Sequence, residues 1–188
     1  VLKHTDEECK RIKKYTYAEE LNYIVSHTKR NKFIENLCKT IKGNTLVLFQ
    51  LVDKHGVLLH NEIKKLDKKV FFVYGGTTTE TREKIRGIVE KEKDSLIIAS
   101  YGTFSTGINI RNINNIVFAS PSKSKIRVLQ SIGRGLRKME NKSSVRLFDI
   151  ADNASYKSRQ NFTYRHFTER LNIYKGENFN YKVSKVNL

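Results

Sequence analysis

A chain of 188 residues suits one domain with appendages, and 38% hydrophobic with 10% aromatic residues is enough to bury a sizeable core. Thirty-six Lys and Arg against nineteen Asp and Glu give a net charge of +17. The charge is spread along the chain, which suits a polyanionic partner, although a basic surface with no specific ligand remains open on charge alone. No run approaches the ~18 apolar residues of a membrane span, and the amino-terminal stretch with Lys3, His4, Asp6, Glu7 and Glu8 is not a signal peptide. Cys9 and Cys38 form no C-x-x-C, and His4, His27, His55, His60 and His166 show no metal-ligand spacing, so neither a disulfide framework nor a metal site is expected. These features point to a soluble, cytoplasmic protein with no membrane partner. The start at Val1 without methionine hints at a fragment.

In chain order, Thr16 to Glu19 has the form of a capping box, and Ala18, Leu21, Ile24 and Val25 follow at helical spacing. Phe33, Ile34, Leu37, Cys38 and Ile41 signal a second helix ending near Gly43. The period then changes. Five short, nearly continuous apolar runs follow at 45–49, 70–74, 95–100, 115–119 and 145–150, as strands covered on both faces would give. Helical patterns separate most of them: Leu51 to Leu66, Ile85 to Val89, and Leu129, Ile132 and Leu136. This alternation predicts an α/β fold with a mostly parallel central sheet flanked by helices, whose ligands sit at the carboxyl ends of the strands. Tyr164, Phe167, Leu171 and Tyr174 predict a helix ending at Gly176, and the alternating Phe179, Tyr181 and Val183 predict a final strand. Residues 1–30 read as a connector and 31–188 as one compact unit, with the carboxyl-terminal helix and strand over 155–188.

Three segments carry candidate chemistry. In "QSIGRGLRK", Gln130, Arg134 and Arg137 fall on one helical stripe, opposite Leu129, Ile132 and Leu136. Gly133 and Gly135 each cost the helix about 1 kcal/mol against alanine. They strip bulk from beside the arginines, whose planar guanidinium groups suit phosphate oxygens. A solvated basic face would have the same spacing. "ASYGTFSTGINIRN" (99–112) follows a strand and reads as a loop rich in small hydroxyl residues and glycines. "YGGTTTETREK" (74–84) turns at Gly75 and Gly76 and opens a helix whose amino terminus favours an anion. Either segment alone could be an ordinary strand-to-helix connection.

The combination of "TLVLFQ", "VYGG…TREKI", "ASYGTFSTGINI" and "QSIGRGLRK" resembles motifs IV, IVa, V and VI in the second RecA-like domain of superfamily 2 helicases, over residues 45–150. The wording "SYGTFSTGINI", "SKI…VLQSIGR" and "HFTERLNIY" is similar, more narrowly, to the recombination helicases of T4-like phages. The resemblance implies a RecA-like three-layer fold and ATP with Mg²⁺ held mainly on a separate N-terminal RecA-like domain. It implies that Arg134 and Arg137 reach that nucleotide as arginine fingers with Gln130 in the same network, and that Gly107 and Asn109 approach the nucleotide. Gln50, Gly75, Gly76, Thr77, Arg82, Ser100, Tyr101 and Thr103 would face the nucleic-acid backbone. Asn109 stands where many relatives carry aspartate, so a carboxylate contact to the ribose is not implied.

Neither G-x-x-x-x-G-K-[ST] nor D-E-x-[HD] occurs in the chain, so the phosphate-cradling lysine and magnesium-holding acids of an NTPase are absent from it. The expectation is the C-terminal half of a motor acting on single-stranded and branched DNA, in unwinding, branch migration, recombination and repair. A stand-alone nucleic-acid-binding module and an RNA helicase domain remain as alternatives.

Overall fold

The computed structural model describes residues 1–107, 110, 112–121 and 145–188, without the side chains of residues 105–107. Five strands form an all-parallel sheet: β2 (Thr45–Phe49), β3 (Lys69–Val73), β4 (Ser95–Ser100), β5 (Asn115–Phe118) and β6 (Arg146–Asp149), in the order β3-β4-β2-β5-β6. Each expected apolar run holds a strand; the central β2, β4 and β5 are buried along their whole length, while the edge strands β3 and β6 are only partly buried. Side chains alternate between two cores. Leu46, Leu48, Ile97, Ala99, Ile116 and Phe118 pack on one face, and Val47, Phe49, Leu96, Ile98 and Val117 on the other.

Helices cover both faces. On the second, α3 (Thr28–Thr40) contributes Ile34 and Cys38, and α4 (Val57–Ile63), entered through a π turn at Val52–Gly56, contributes Leu59 and Ile63. On the first lie α5 (Thr79–Val89), α6 (Tyr101–Gly107) and α7 (Phe162–Gly176), represented by Val89, Tyr101 and Tyr174. The result is the three-layer, RecA-like arrangement. Among the described residues no helix is long and apolar enough to cross a membrane.

Residues 1–30 are fastened to this body. They form β1 (Leu2–Lys3), α1 (Asp6–Ile12) and α2 (Tyr17–Ser26), the helices each opened by a capping box, at Thr5 with Glu8 and at Thr16 with Glu19. β1 lies in a second, parallel sheet between β7 (Asp152–Asn153) and β8 (Val186–Asn187). Buried Glu20 of α2 accepts from Phe162 N at 2.9 Å and Thr163 N at 2.7 Å, capping the first turn of α7 with a carboxylate. Arg30 and Asp152 form an ion pair with both side chains fully buried, Nε donating to Oδ2 at 2.8 Å, while Arg30 Nη2 donates to Ala119 O at 2.7 Å. Burial alone would raise the Asp152 carboxyl. The Arg30 charge and a hydrogen bond from His4 Nε2 at 3.2 Å outweigh it and hold the group below its ordinary value.

Two expectations are corrected. Residues 101–107, read as a loop, are a helix, and the Ser100 hydroxyl accepts from Thr103 N at 3.3 Å in the manner of an N-cap. Residues 179–183 form no strand. Phe179, Tyr181 and Val183 are exposed, Phe179 and Tyr181 lean on Tyr174, and the last strand is β8, three residues further on. The Arg30–Asp152 pair joins residues 122 positions apart.

Arg30→Met strands the Asp152 charge in the interior and should lower the unfolding free energy by about 3–5 kcal/mol. Urea unfolding at pH 7 measures it, and an unchanged midpoint would contradict the role given to the pair. Asp152 is held below its unfolded value of about 4. Its stabilisation is therefore full above that pH and is lost as the pH falls through the folded value. Stability should decline below about pH 4, with a shallower slope in Asp152→Asn.

Candidate functional site

The candidate site grows from the sheet's registration. β3, β4 and β2 are neighbours, with Val73 opposite Ala99 and Phe49 opposite Ser100. The segments leaving their carboxyl ends, starting at Gln50, Tyr74 and Tyr101, therefore emerge side by side, with strands about 4.8 Å apart.

Gln50, Gly75 and Gly76 are exposed, and Thr77 is half-buried. The turn at 74–77 closes on itself: Thr77 N donates to Tyr74 O at 2.9 Å, and Tyr74 N donates to Thr77 Oγ1 at 3.1 Å. Thr78 then caps α5 by accepting from Thr81 N at 3.2 Å. Arg82, one turn into α5, reaches back so that Nη2 lies 3.4 Å from Gly75 O.

The residues after β4 are placed differently. Ser100, Tyr101 and Thr103 are buried. Ser100 Oγ and Thr103 Oγ1 lie 2.7 Å apart, and the Tyr101 hydroxyl donates to Ser120 O at 3.1 Å. Burial drives the Tyr101 phenol well above its ordinary value, so it stays protonated and keeps that bond. These side chains set the shape of the segment instead of lying on its surface. Gly107 ends α6. Gln130, Arg134 and Arg137, with the helix read around them, and Asn109 lie outside the described residues.

Ser120, at the carboxyl end of β5, was not singled out in the sequence. Its hydroxyl accepts from Gln50 N at 3.0 Å and lies 2.7 Å from Nδ1 of buried His55, while its carbonyl holds Tyr101. One small residue thus ties together the segments after β2, β4 and β5. Only the pairing Ser120-Pro121, a turn signal, marks it in the sequence.

Away from this edge, His4, Glu8 and His27 bring ligand-type atoms within 4.8 Å of one another. Their bonding is that of a capping cluster. Glu8 accepts from Thr5 N, the Thr5 hydroxyl, the Tyr23 hydroxyl and His27 Nε2, and these bonds hold its carboxyl far below the ordinary range against the opposing effect of burial. His27 Nδ1 accepts from Arg30 N, which leaves the neutral ring's proton on Nε2, facing Glu8. A cation would have to break these bonds.

Ser120→Ala removes the partner of Gln50 N and His55 Nδ1 and should cost about 1–3 kcal/mol in urea unfolding. A loss below about 0.5 kcal/mol would show that the edge is not organised by this hydroxyl.

The model of the helicase conserved C-terminal domain matches residues 28–139. The chain is 38% identical, over its whole length, to the "ATP-dependent DNA helicase uvsW" of Enterobacteria phage T4, of which it spans 40%. It is 27% identical over 71% of its length to the "Putative ATP-dependent helicase IRC3" of Saccharomyces cerevisiae, covering 18% of that protein. The crystal structure of T4 UvsW superposes with a TM-score of 0.86 at 36% identity, over 99% of this chain and 40% of that one. With this match and this fold, the chain belongs to the family of helicase conserved C-terminal domains, the second RecA-like domain of superfamily 2 helicases.

Proposed function

We propose that this chain is the C-terminal motor domain of an ATP-dependent DNA helicase, working on single-stranded and branched DNA in recombination and repair. The observation that carries the reading is the common edge: the segments after β2, β3 and β4 leave adjacent parallel strands at their carboxyl ends, in a chain of net charge +17. Backbone N–H groups, exposed glycines and threonine hydroxyls along that edge suit phosphate contacts, which follow a strand without reading its sequence. DNA is favoured over RNA by the 38% identity to a protein named as a DNA helicase.

The nucleotide belongs to a composite site. The chain's donor set for ATP is a pair of guanidinium groups, Arg134 and Arg137, with the Gln130 amide and the Gly107 to Asn109 segment; it has no Walker lysine and no acidic box for Mg²⁺. Such a set fits the second half of a site whose phosphate cradle lies on an N-terminal RecA-like domain of the same polypeptide. ATP with Mg²⁺, when bound there, supplies the phosphoryl-transfer chemistry. Arg134 and Arg137 then place positive charge where charge develops on the transferring group, so closure of the two domains and hydrolysis are coupled. Opening releases that contact and lets the edge around Gln50, Gly75 and Gly76 shift its hold on the strand.

Two expectations test this. The 188-residue chain alone should hydrolyse no ATP above background but bind DNA with an affinity that falls linearly, log against log, with salt. Steady Mg²⁺-dependent turnover by the chain, or a flat salt response, would overturn the reading. In the full-length helicase, Arg134→Lys and Arg137→Lys keep the charge but lose the planar fork. Each should lower kcat by up to about 10³-fold with little change in DNA binding or melting temperature; normal turnover in both would return these arginines to a solvated face.

A further inference from the structure

We propose that Tyr74 is a stacking platform for an unpaired nucleobase, set beside the phosphate-suited turn at Gly75–Thr77. The inference rests on the reading that the carboxyl edge of the sheet meets nucleic acid, and adds how that edge distinguishes single strands from duplex.

Tyr74 directly follows β3. Its period-2 neighbour Phe72 packs with the core beneath α3 and α4, while Val73 between them points to the other core. An aromatic row runs outward on this face. Buried Phe49 stacks on Phe72 with ring centroids 5.6 Å apart at 24°, and His60 of α4 stacks on Phe72 at 4.9 Å and 9°. Tyr74 rests against Phe72 at 5.3 Å and 36°. The row thus begins in the core and ends on Tyr74, a residue that is 37% exposed.

That exposed ring is braced from a second direction. A Cβ placed on Gly76 would lie 2.8 Å from Tyr74 Cε2, so the ring occupies the space that glycine leaves. The two hydrogen bonds between Tyr74 and Thr77 close the backbone beneath it. Gly75, by contrast, has nothing within 4 Å of its Cβ direction, so the turn is open beside the ring. An exposed aromatic held by Phe72, by Gly76 and by a closed turn gives up little side-chain entropy when a flat partner settles on it.

The partner's chemistry follows from what surrounds the ring. A flat, π-faced group attached to a phosphate fits a tyrosine next to exposed glycines and the amino terminus of the 11-residue α5, in a chain of net charge +17. A nucleobase in a polynucleotide is that group. In duplex its faces are already stacked on neighbouring pairs, so Tyr74 engages only unpaired bases, as in a single strand or at the opened arm of a branch.

Binding of the 188-residue chain to a single-stranded oligonucleotide carrying 2-aminopurine, and to the matching duplex, tests this. Tyr74→Ala and Tyr74→Leu should each weaken single-strand binding roughly 5- to 150-fold and abolish the stacking-induced fluorescence change. Duplex affinity and the salt slope should not change. Tyr74→Leu keeps apolar contact with Phe72 but has no π face, so its loss of affinity cannot be laid to lost packing. Tyr74→Trp should bind at least as well as wild type. Gly76→Ala, which pushes on the ring, should weaken single-strand binding in the same direction. Full single-strand affinity in Tyr74→Leu, with the salt slope still steep, would overturn the stacking role and leave the phosphate-tracking edge standing. Failure of the wild-type chain to bind either DNA would overturn both.

Discussion

The buried pair of Arg30 and Asp152 is the constraint on which the rest of the chain's arrangement depends. One guanidinium joins the start of α3 to the β7 carboxylate and, through Ala119 O, to the end of β5. A charge pair with no exposure is costly to desolvate, and its geometry must be held from several sides. His4 supplies one side by donating to Asp152. The three-stranded sheet of β7, β1 and β8 supplies another, since it fixes the backbone of Asp152 itself. Glu20, capping α7 from α2, works alongside, so that the first thirty residues and the carboxyl-terminal helix brace each other. This places residues 1–30 within the body, although their sequence reads as a connector.

The consequence for function is division of labour between the ends of the sheet. At the amino ends of the strands, buried Asn44 joins Ser95, Val89 and Glu92, and Asn115 joins Lys42 and Thr45, closing that end with side-chain hydrogen bonds. At the carboxyl ends, Ser120 ties the strand ends from within while Gln50, Tyr74, Gly75 and Gly76 are left outward. One end is sealed and the other offered, as the switch of strand order in an open α/β sheet leads one to expect.

The strands and most helices were legible because their signals are local. Continuous apolar runs such as Leu46 to Phe49 and Leu96 to Ala99 can be buried only in the middle of a sheet, and Thr16 with Glu19 announces its own helix. What was missed depended on partners far away or on weak local preferences. Nothing near Arg30 marks a carboxylate 122 positions distant. Gly102, Thr103, Ser105 and Thr106 are poor helix formers, so α6 was hidden although Ser100 and Thr103 are spaced as a cap. The alternation of Phe179, Tyr181 and Val183 is a pattern a strand would use, but Phe179 and Tyr181 lean on Tyr174 and Val183 is exposed. Of the residues that motif spacing assigns to the nucleic-acid backbone, Gln50, Gly75 and Gly76 are exposed at the carboxyl edge. Tyr101 and Thr103 carry the same motif but point inward, a distinction only packing decides.

Hydrogen–deuterium exchange of the chain with and without single-stranded DNA tests the central claim most directly, because it reports where the strand lies without presuming any residue. The account predicts slowed exchange at residues 50–52, 74–79 and 101–107, with the small sheet of β7, β1 and β8 unchanged. Protection centred instead on α1, α2 or the segment around Phe179 and Tyr181, with the carboxyl edge of β2, β3 and β4 exchanging as in the free chain, would contradict it.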